Sequence, residues 1–450
     1  MELGGRAEGT GASPKHLGRL TTEPVGFRPR VLMTTTAYPP STGGVQAHVA
    51  DLKRRLTHYD TDVATLWLEN RTDWLLGSTL RLAPRVGDGR ADSVSTLGWD
   101  GSTRLRMLPW VLAYYAIVPL AARRLARLVE PAVDHLVRPE HVLIHNHRIG
   151  REFLALASLS VARRRGLPFV LTPHHHPKWR GYRYRGWLKA YTSADAVLAH
   201  TPAERDELIR LGVPDERIHV IWSAGDDPLP GDPSRFRSGL RAPDLPLILF
   251  VGQLYRYKGV AELLTAVDLL RARGVEANLA YIGPPTEFSA RFFARQTRPW
   301  LSLLGRVSAQ EKWDALESAT VVCLPSRHEA FGRIYLEAWS KGKPVIGGRI
   351  PAVSDVIDDG RMGLLVEPGS VPELSAALER LLPDRALAAR MGEAGRRTVQ
   401  DRFNWPQVVA RVEAAYAAAL SRFPSPHGKR SPVSGPEREG SESPSPSGGE

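Results

Sequence analysis

The segment Val321–Gly348, VVCLPSRHEAFGRIYLEAWSKGKPVIGG, limits the fold more than any other stretch of the chain. Val321–Leu324 is a short apolar run ended by Pro325, and Pro344–Gly347 is a second one. Runs without polar alternation suit strands covered on both faces, the setting of a parallel sheet. Between them lie a loop, Ser326–Phe331, and a helix predicted over Gly332–Lys341, which Gly342 and Pro344 stop. Strand, loop, helix and strand in that order form a crossover unit, which holds its two strands parallel. Gly332 stands where the helix begins, so backbone N–H groups there can approach an anion closely at the positive end of the helix dipole. Glu329 in the loop and Glu337 in the helix are separated by seven residues. Both are acceptor-only groups when ionised, suited to hydroxyl donors.

The same alternation runs through the rest of the chain. Arg30–Thr36 reads as a strand, Tyr38–Gly44 as a turn-rich loop and Val45–Leu56 as a helix. That order puts Gly43 and Gly44 at the carboxyl edge of a sheet, where open α/β folds bind ligands. Thr61–Leu68, Val142–Ile144, Phe169–Thr172, Ala194–His200 and Arg217–Ile221 are further predicted strands. Two of them run into histidine-rich loops, His145–Gly150 and Pro173–Pro177, but no cysteine or carboxylate stands at ligand spacing, so no metal site is expected. Ser223–Pro246 is rich in Pro, Gly and Asp and reads as an interdomain connection. Leu247–Val251 then opens a second series with Gly252, Gln253 and Lys258 close behind it, followed by predicted strands at Asn278–Gly283 and Trp300–Leu304. Helices are predicted at Pro202–Leu211, Lys312–Ser318, Pro372–Leu382, Arg385–Val399 and Trp405–Leu420. For 450 residues this pattern implies an α/β fold of two doubly wound domains. The expected boundaries are a disordered tail at 1–26, an N-terminal domain at 27–224, a hinge at 225–246, a second domain at 247–404, a terminal helix at 405–420 and a disordered tail at 421–450.

SRHEAFGRIYLEAWSKGKPVIGG resembles, nearly position by position, the E-x7-E motif of the retaining glycosyltransferases of family 4, which have the GT-B fold. The resemblance extends through Ala352–Ile357 and Asp358–Ser370 and covers the chain from roughly Arg30 to Ala419. It implies two Rossmann-like domains facing each other across a cleft, and metal-independent transfer of a hexosyl group with no separate cofactor. The implied donor is a nucleoside diphosphate sugar, UDP- or GDP-linked, held by the C-terminal domain. The implied acceptor is a glycan, a lipid-linked group or a small molecule on the N-terminal domain. Carried over by position, the catalytic candidates are His147, Glu329 and Lys258. The donor-binding candidates are Gly44, Gly252, Gln253, Lys258, Arg306, Val307, Glu329, Ala330, Phe331, Gly332, Arg333 and Glu337, and Gly43, His145 and His174 fall on the acceptor side. In one place the chain departs from the family. Where the pattern G-R-x-x-x-x-K-G has an arginine this sequence has Gln253, which removes a bidentate cation; Arg256 is a candidate to replace it. A degenerate transferase that binds a donor without turning it over is therefore a second reading.

The net charge of +12 is unevenly spread. Residues 101–200 hold sixteen Arg or Lys against five Asp or Glu, so nearly all of the excess sits there. Such a field suits an anionic membrane surface, an anionic acceptor or nucleic acid. No nucleic-acid-binding motif accompanies it, so nucleic acid is not expected, although a basic polyanion-binding protein without catalysis is a third reading. Lys178–Tyr191, KWRGYRYRGWLKAY, interleaves basic and aromatic residues and is expected to face an acceptor or a membrane. Leu105–Val129 carries an apolar core, Leu108–Ala122, too short and proline-broken to span a bilayer; it is expected as a buried helix, with an interfacial segment as the alternative. A single cysteine, Cys323, and an N-terminus without an apolar core lead to the expectation of a cytoplasmic protein, with a peripheral place at the inner face of the cell membrane as an alternative.

Overall fold

The computed structural model describes residues 28–41, 43–68, 93–114, 116–147, 152–175 and 185–423. The expected N-terminal tail, nearly all of the C-terminal one, Arg148–Gly150 and residues 178–184 of the basic–aromatic stretch lie outside the described residues.

Seven strands form the first sheet: β1 Arg30–Ala37, β2 Asp60–Trp67, β3 Val94–Thr96, β4 His141–His147, β5 Phe169–Thr172, β6 Ala196–Ala199 and β7 Ile218–Val220. Six form the second: β8 Leu247–Val251, β9 Asn278–Ile282, β10 Leu301–Gly305, β11 Val321–Leu324, β12 Val345–Gly348 and β13 Gly363–Val366. Their spatial orders are β3-β2-β1-β4-β5-β6-β7 and β10-β9-β8-β11-β12-β13, and all of these strand pairs are parallel. Each order runs outward one way from its first strand and then the other. The chain reverses at β1/β4 and again at β8/β11, and at such a reversal two loops part at the carboxyl edge and leave a crevice. The fold is thus α/β, with two doubly wound domains of the GT-B kind.

Most strands are buried along their length because both sheet faces are covered. One face of the first sheet packs on the helices Gly101–Leu112, Val118–Leu136 and Glu152–Arg165. The other packs on the helix Gly44–Arg55 and on the terminal helix Trp405–Ser421, whose Val408, Val412, Ala415, Tyr416 and Ala419 meet Val31, Met33, Leu143 and Val170. The end of the chain therefore completes the core of its first domain. Asn404 caps that helix by accepting from Gln407 N, and Trp405 Nε1 donates to Gly225 O at 2.9 Å, which ties the crossing to the connection between domains. Glu413 accepts from the backbone N–H of Thr57 and His58 at 2.7 and 2.9 Å. The 225–246 connection is itself folded: Pro233–Arg237 is a short helix, with Arg235 Nη1 3.0 Å from Asp314 Oδ2 and Arg237 donating to Ser318 O.

Two expectations need correction. Leu105–Val129 is not one buried helix but two helices, Gly101–Leu112 and Val118–Leu136, and the turn between them brings apolar side chains to the surface. The aromatic residues Trp187 and Tyr191 do not face outward; on the helix Arg185–Ser193 they are buried in the core of the first domain. The apolar sides of their rings are worth more inside the fold than at a wet surface.

Deleting residues 405–450 is expected to bare the apolar face of the first sheet. The shortened chain should aggregate or bind a hydrophobic dye several-fold more strongly than the full chain in a fluorescence titration. A monodisperse product with unchanged Tm would contradict the assignment of this helix to the first core.

Candidate active site

The second domain supplies three backbone turns around the β8/β11 crevice. Gly252, Gly283 and Gly305 follow or end β8, β9 and β10, and Gly283 N donates to Gly305 O at 2.7 Å. A Cβ on Gly283, whose φ is 140°, would lie 2.0 Å from Gly252 O, so these strand ends approach as only glycine allows. Gln253 follows at the same edge, half-buried, and Arg306 and Val307 extend from β10. Arg256 is exposed on the turn Arg256–Lys258. Lys258 closes that turn and pairs with Glu329 from the loop after β11. Ala330 and Phe331 follow, and Gly332, at φ 90°, begins the helix Arg333–Ser340.

Three helices that start at the two crevices lack a side-chain cap. These are Gly44–Arg55 behind Gly43, Val260–Ala272 behind Gly259 and Arg333–Ser340 behind Gly332. By contrast, Asp100, Thr201, Ser308, Ser370 and Asn404 each cap the helix that follows them. An uncapped first turn keeps its N–H groups for another acceptor, and a phosphate suits them best.

The first domain contributes histidines. His147 ends β4 between Thr35 of β1 and Thr172 of β5, in the β1/β4 crevice. It is fully buried and neither ring nitrogen has a partner among the described residues. His48, His145, His174 and His200 lie close to it: the His48 ring is 6.0 Å from His147 and 5.0 Å from His200, and His200 Nε2 is 2.9 Å from His174 Nδ1. His145 uses both ring nitrogens, 2.7 Å from Tyr416 Oη and 2.8 Å from Thr172 Oγ1, and so joins the sheet to the terminal helix. Burial holds His48, His145, His147 and His200 neutral. The pKa of His147 falls to about 3, through burial and then the neighbouring His200, and that of His200 to about 4 through burial and Arg333. Among the described residues, no group of three or more His, Cys, Asp or Glu is placed to hold a metal ion.

Charges bind the two sides together. Arg333 Nη2 lies 2.8 Å from Asp51 Oδ2 on the first domain and 2.8 Å from Asp226 Oδ1 on the connection, and Arg333 Nη1 donates to Gly44 O at 3.4 Å. Lys312 Nζ lies 2.6 Å from Asp226 Oδ2 and 3.0 Å from Glu337 Oε2. Burial pushes the Glu337 carboxyl up, and Lys312 only partly offsets it. Burial also opposes ionisation of Asp226, but Lys312 and Arg333 outweigh it and hold that carboxyl low. The candidates Gly43, Gly44, Gly252, Gln253, Lys258, Glu329, Ala330, Phe331, Gly332, Arg333 and Glu337 thus gather at the two crevices, with His147 and His174 on the opposite wall from Phe331; Phe331 itself meets His200 at 6.3 Å.

The sequence pattern described as "Glycosyl transferases group 1" matches residues 233–398, and "Glycosyltransferase Family 4" matches residues 42–226. D-inositol 3-phosphate glycosyltransferase of Arthrobacter is 31% identical over 311 residues, 63% of this chain and 72% of that one. Alpha-D-kanosaminyltransferase of Streptomyces kanamyceticus is 30% identical over 271 residues, 56% of this chain and 70% of that one. The chain belongs to glycosyltransferase family 4. In fold this family 4 member is similar to Anabaena Alr3699/HepE, solved with UDP and glucose, at a TM-score of 0.67 and 17% identity, over 87% of this chain and all of that one.

Several residues of the cleft escape a reading of the sequence. Asp51 and His48 sit on a helix read only as packing, Asp226 lies in a segment read as a hinge, and Lys312 lies on the helix Ala309–Ser318 with no motif around it. His200 and Trp222 end strands of no evident chemistry. Only the i, i+3 placement of His48 and Asp51 behind the glycine pair hints that one helix face carries polar groups inward.

Two outcomes follow for stability. The unfolded chain protonates its histidines below about pH 6.5, whereas folded His200 and His147 stay neutral until about 4 and about 3. The stabilisation held above pH 6.5 is therefore lost as pH falls from 6.5 towards 4, by about 1.4 kcal/mol per pH unit for each such histidine. Urea midpoints measured across that window should drop steeply, and His200→Gln should lessen the slope. Arg333→Leu should cost about 3 kcal/mol in the same assay, the low end for a broken buried pair, because Asp51 keeps Arg55 and Asp226 keeps Lys312. A loss below about 0.5 kcal/mol would remove Arg333 from the interdomain network.

Proposed function

We propose that the chain is a retaining, metal-independent glycosyltransferase that moves a hexosyl group from a UDP- or GDP-linked sugar to an acceptor held against its first domain. One observation carries this reading: the Lys258–Glu329 pair and the uncapped helix behind Gly332 stand at the β8/β11 reversal, across from His147 at the β1/β4 reversal. In the reaction the bond between anomeric carbon and diphosphate oxygen breaks, and the diphosphate leaves with the electron pair. The acceptor oxygen bonds to the same face of that carbon, and the departing phosphate takes the acceptor's proton. No side chain serves as a nucleophile.

Charge grows on the leaving group in the transition state, so Lys258 and the N–H groups around Phe331–Arg333 act where they are worth most. Glu329 orients the hexose, Glu337 takes the ribose hydroxyls, and neutral His147 meets the sugar as a hydrogen-bond partner. Lys258 and Glu329 already pair across the crevice, so the cation stands beside the carboxylate that would orient the sugar. Gln253 leaves the diphosphate with one fewer cation than the family pattern has, and the reading gives more of that task to Lys258 and the helix N-termini.

A thermal-shift panel of sugar nucleotides identifies the donor, since a ligand at a hundred times its Kd stabilises by about 2.7 kcal/mol. With that donor, Glu329→Ala should lower kcat by about a hundredfold or more and Glu337→Ala should chiefly raise the donor KM. NMR of the product should show the donor's anomeric configuration kept. Unchanged kinetics in both variants would discard these roles, inversion would discard the mechanism, and donor binding with no turnover on any acceptor would leave the binding-only reading.

A further inference from the structure

The helical hairpin Gly101–Leu112 and Val118–Leu136 carries an unpartnered surface of two kinds. Leu105 and Leu112 are the most exposed large apolar residues among the described ones, at 72% and 62%, and Ile117 and Leu120, at 37% and 44%, are exposed beside them on the next helix. Leu105, Pro109 and Leu112 recur at helical spacing on one stripe, as do Ile117, Leu120, Arg124 and Arg127 on the next helix. The two stripes meet at the turn between the helices. The opposite faces are filled by Met107, Val111, Ala121, Ala122, Leu125 and Val129, so the exposed stripes are not surplus core.

The positive field of residues 101–200 divides sharply over the fold. Arg163 pairs with Asp195, Arg164 and Arg165 with Asp134, and Arg138 with Asp62. Arg106, Arg123, Arg124 and Arg127 are exposed, and none of the four has an ion-pair partner among the described residues. Arg124 instead lies over the half-buried ring of Trp110, at 5.3 Å. These four arginines thus border the apolar stripes on the same two helices. The hairpin is also tied to the cleft: Tyr114 Oη donates to Glu152 Oε2 at 2.7 Å, and Glu152 begins the helix after β4, the strand that His147 ends.

We propose that this hairpin docks the first domain on an anionic phospholipid bilayer, with Leu112, Ile117 and Leu120 entering the acyl boundary and the arginines on the headgroups. Apolar residues alone would suit many partners. A rim of unpaired arginines around them fits a surface that is anionic at headgroup depth and apolar beneath it. No helix of the described residues is long and apolar enough to cross a membrane, so the attachment is interfacial and reversible. It sets the acceptor side of the cleft against the bilayer, which makes the acceptor of the proposed reaction a lipid-borne one. That last step rests on the proposed function, whereas the docking does not.

The test is co-sedimentation of the full chain with vesicles of phosphatidylcholine, with and without 30% phosphatidylglycerol. The wild type should bind the anionic vesicles at least tenfold more tightly, and less so as salt is raised. Arg123→Gln/Arg124→Gln/Arg127→Gln should weaken this about a hundredfold, and Leu112→Ser/Ile117→Ser about tenfold, with Tm and donor binding unchanged in both. Equal partition into both vesicle types, or anionic binding that neither variant alters, would overturn the proposal. So would apolar variants that bind as well as wild type while duplex RNA displaces the vesicles, since that marks a general polyanion surface. Vesicle binding by a chain that binds no sugar nucleotide would leave the docking intact and remove the donor reading alone.

Discussion

A guanidinium largely withdrawn from water must find its counter-charges inside the protein, and Arg333 finds them on both sides of the cleft. It leaves the second domain at the first residue of its helix and reaches Asp51 of the first domain, Asp226 of the connection and the carbonyl of Gly44. Desolvated charge is costly unless geometry satisfies it, so these groups confine the two domains to arrangements in which they still meet. Lys312 extends the network to Glu337, so the glutamate proposed to take the donor's ribose is held by the same charges that set the width of the cleft.

Within that frame the two walls differ in kind. The second domain presents backbone: glycine turns that close in on each other and uncapped helix starts that offer N–H groups to an anion. The first presents neutral imidazoles, kept uncharged by burial and by one another. A positive, preorganised wall suits a leaving diphosphate, and a neutral polar wall suits an uncharged sugar. The division follows from which strand ends carry glycine and which carry histidine, and it puts the two chemistries on opposite lips of one cleft.

Residues 101–200 form a basic region by count, with sixteen Arg or Lys against five Asp or Glu. Charge counting identified a basic region but gave every arginine the same weight. Folding brings Asp62, Asp134 and Asp195 against some of them and leaves others without an ion-pair partner among the described residues, and it draws Trp187 and Tyr191 into the core although their neighbours in sequence are basic. Distant carboxylates decide which charges remain, and those contacts have no local signature.

Features that depend on neighbours along the chain were readable before folding. Apolar runs closed by Pro or Gly marked buried parallel strands, and Gly332 and the spacing of Glu329 and Glu337 marked the loop–helix unit at the heart of the second domain. Such features are legible because turn, cap and strand preferences act over a few residues. Long-range packing alone places the helix Trp405–Ser421 against the first domain, joins His48 and His200 to His147, brings Asp51, Asp226 and Lys312 to the site, and leaves the hairpin's Arg106, Arg123, Arg124 and Arg127 without an ion-pair partner among the described residues. These are pairings between residues far apart in the chain, selected by shape and by the cost of burying an unmatched charge, and that cost exists only once the surfaces have come together.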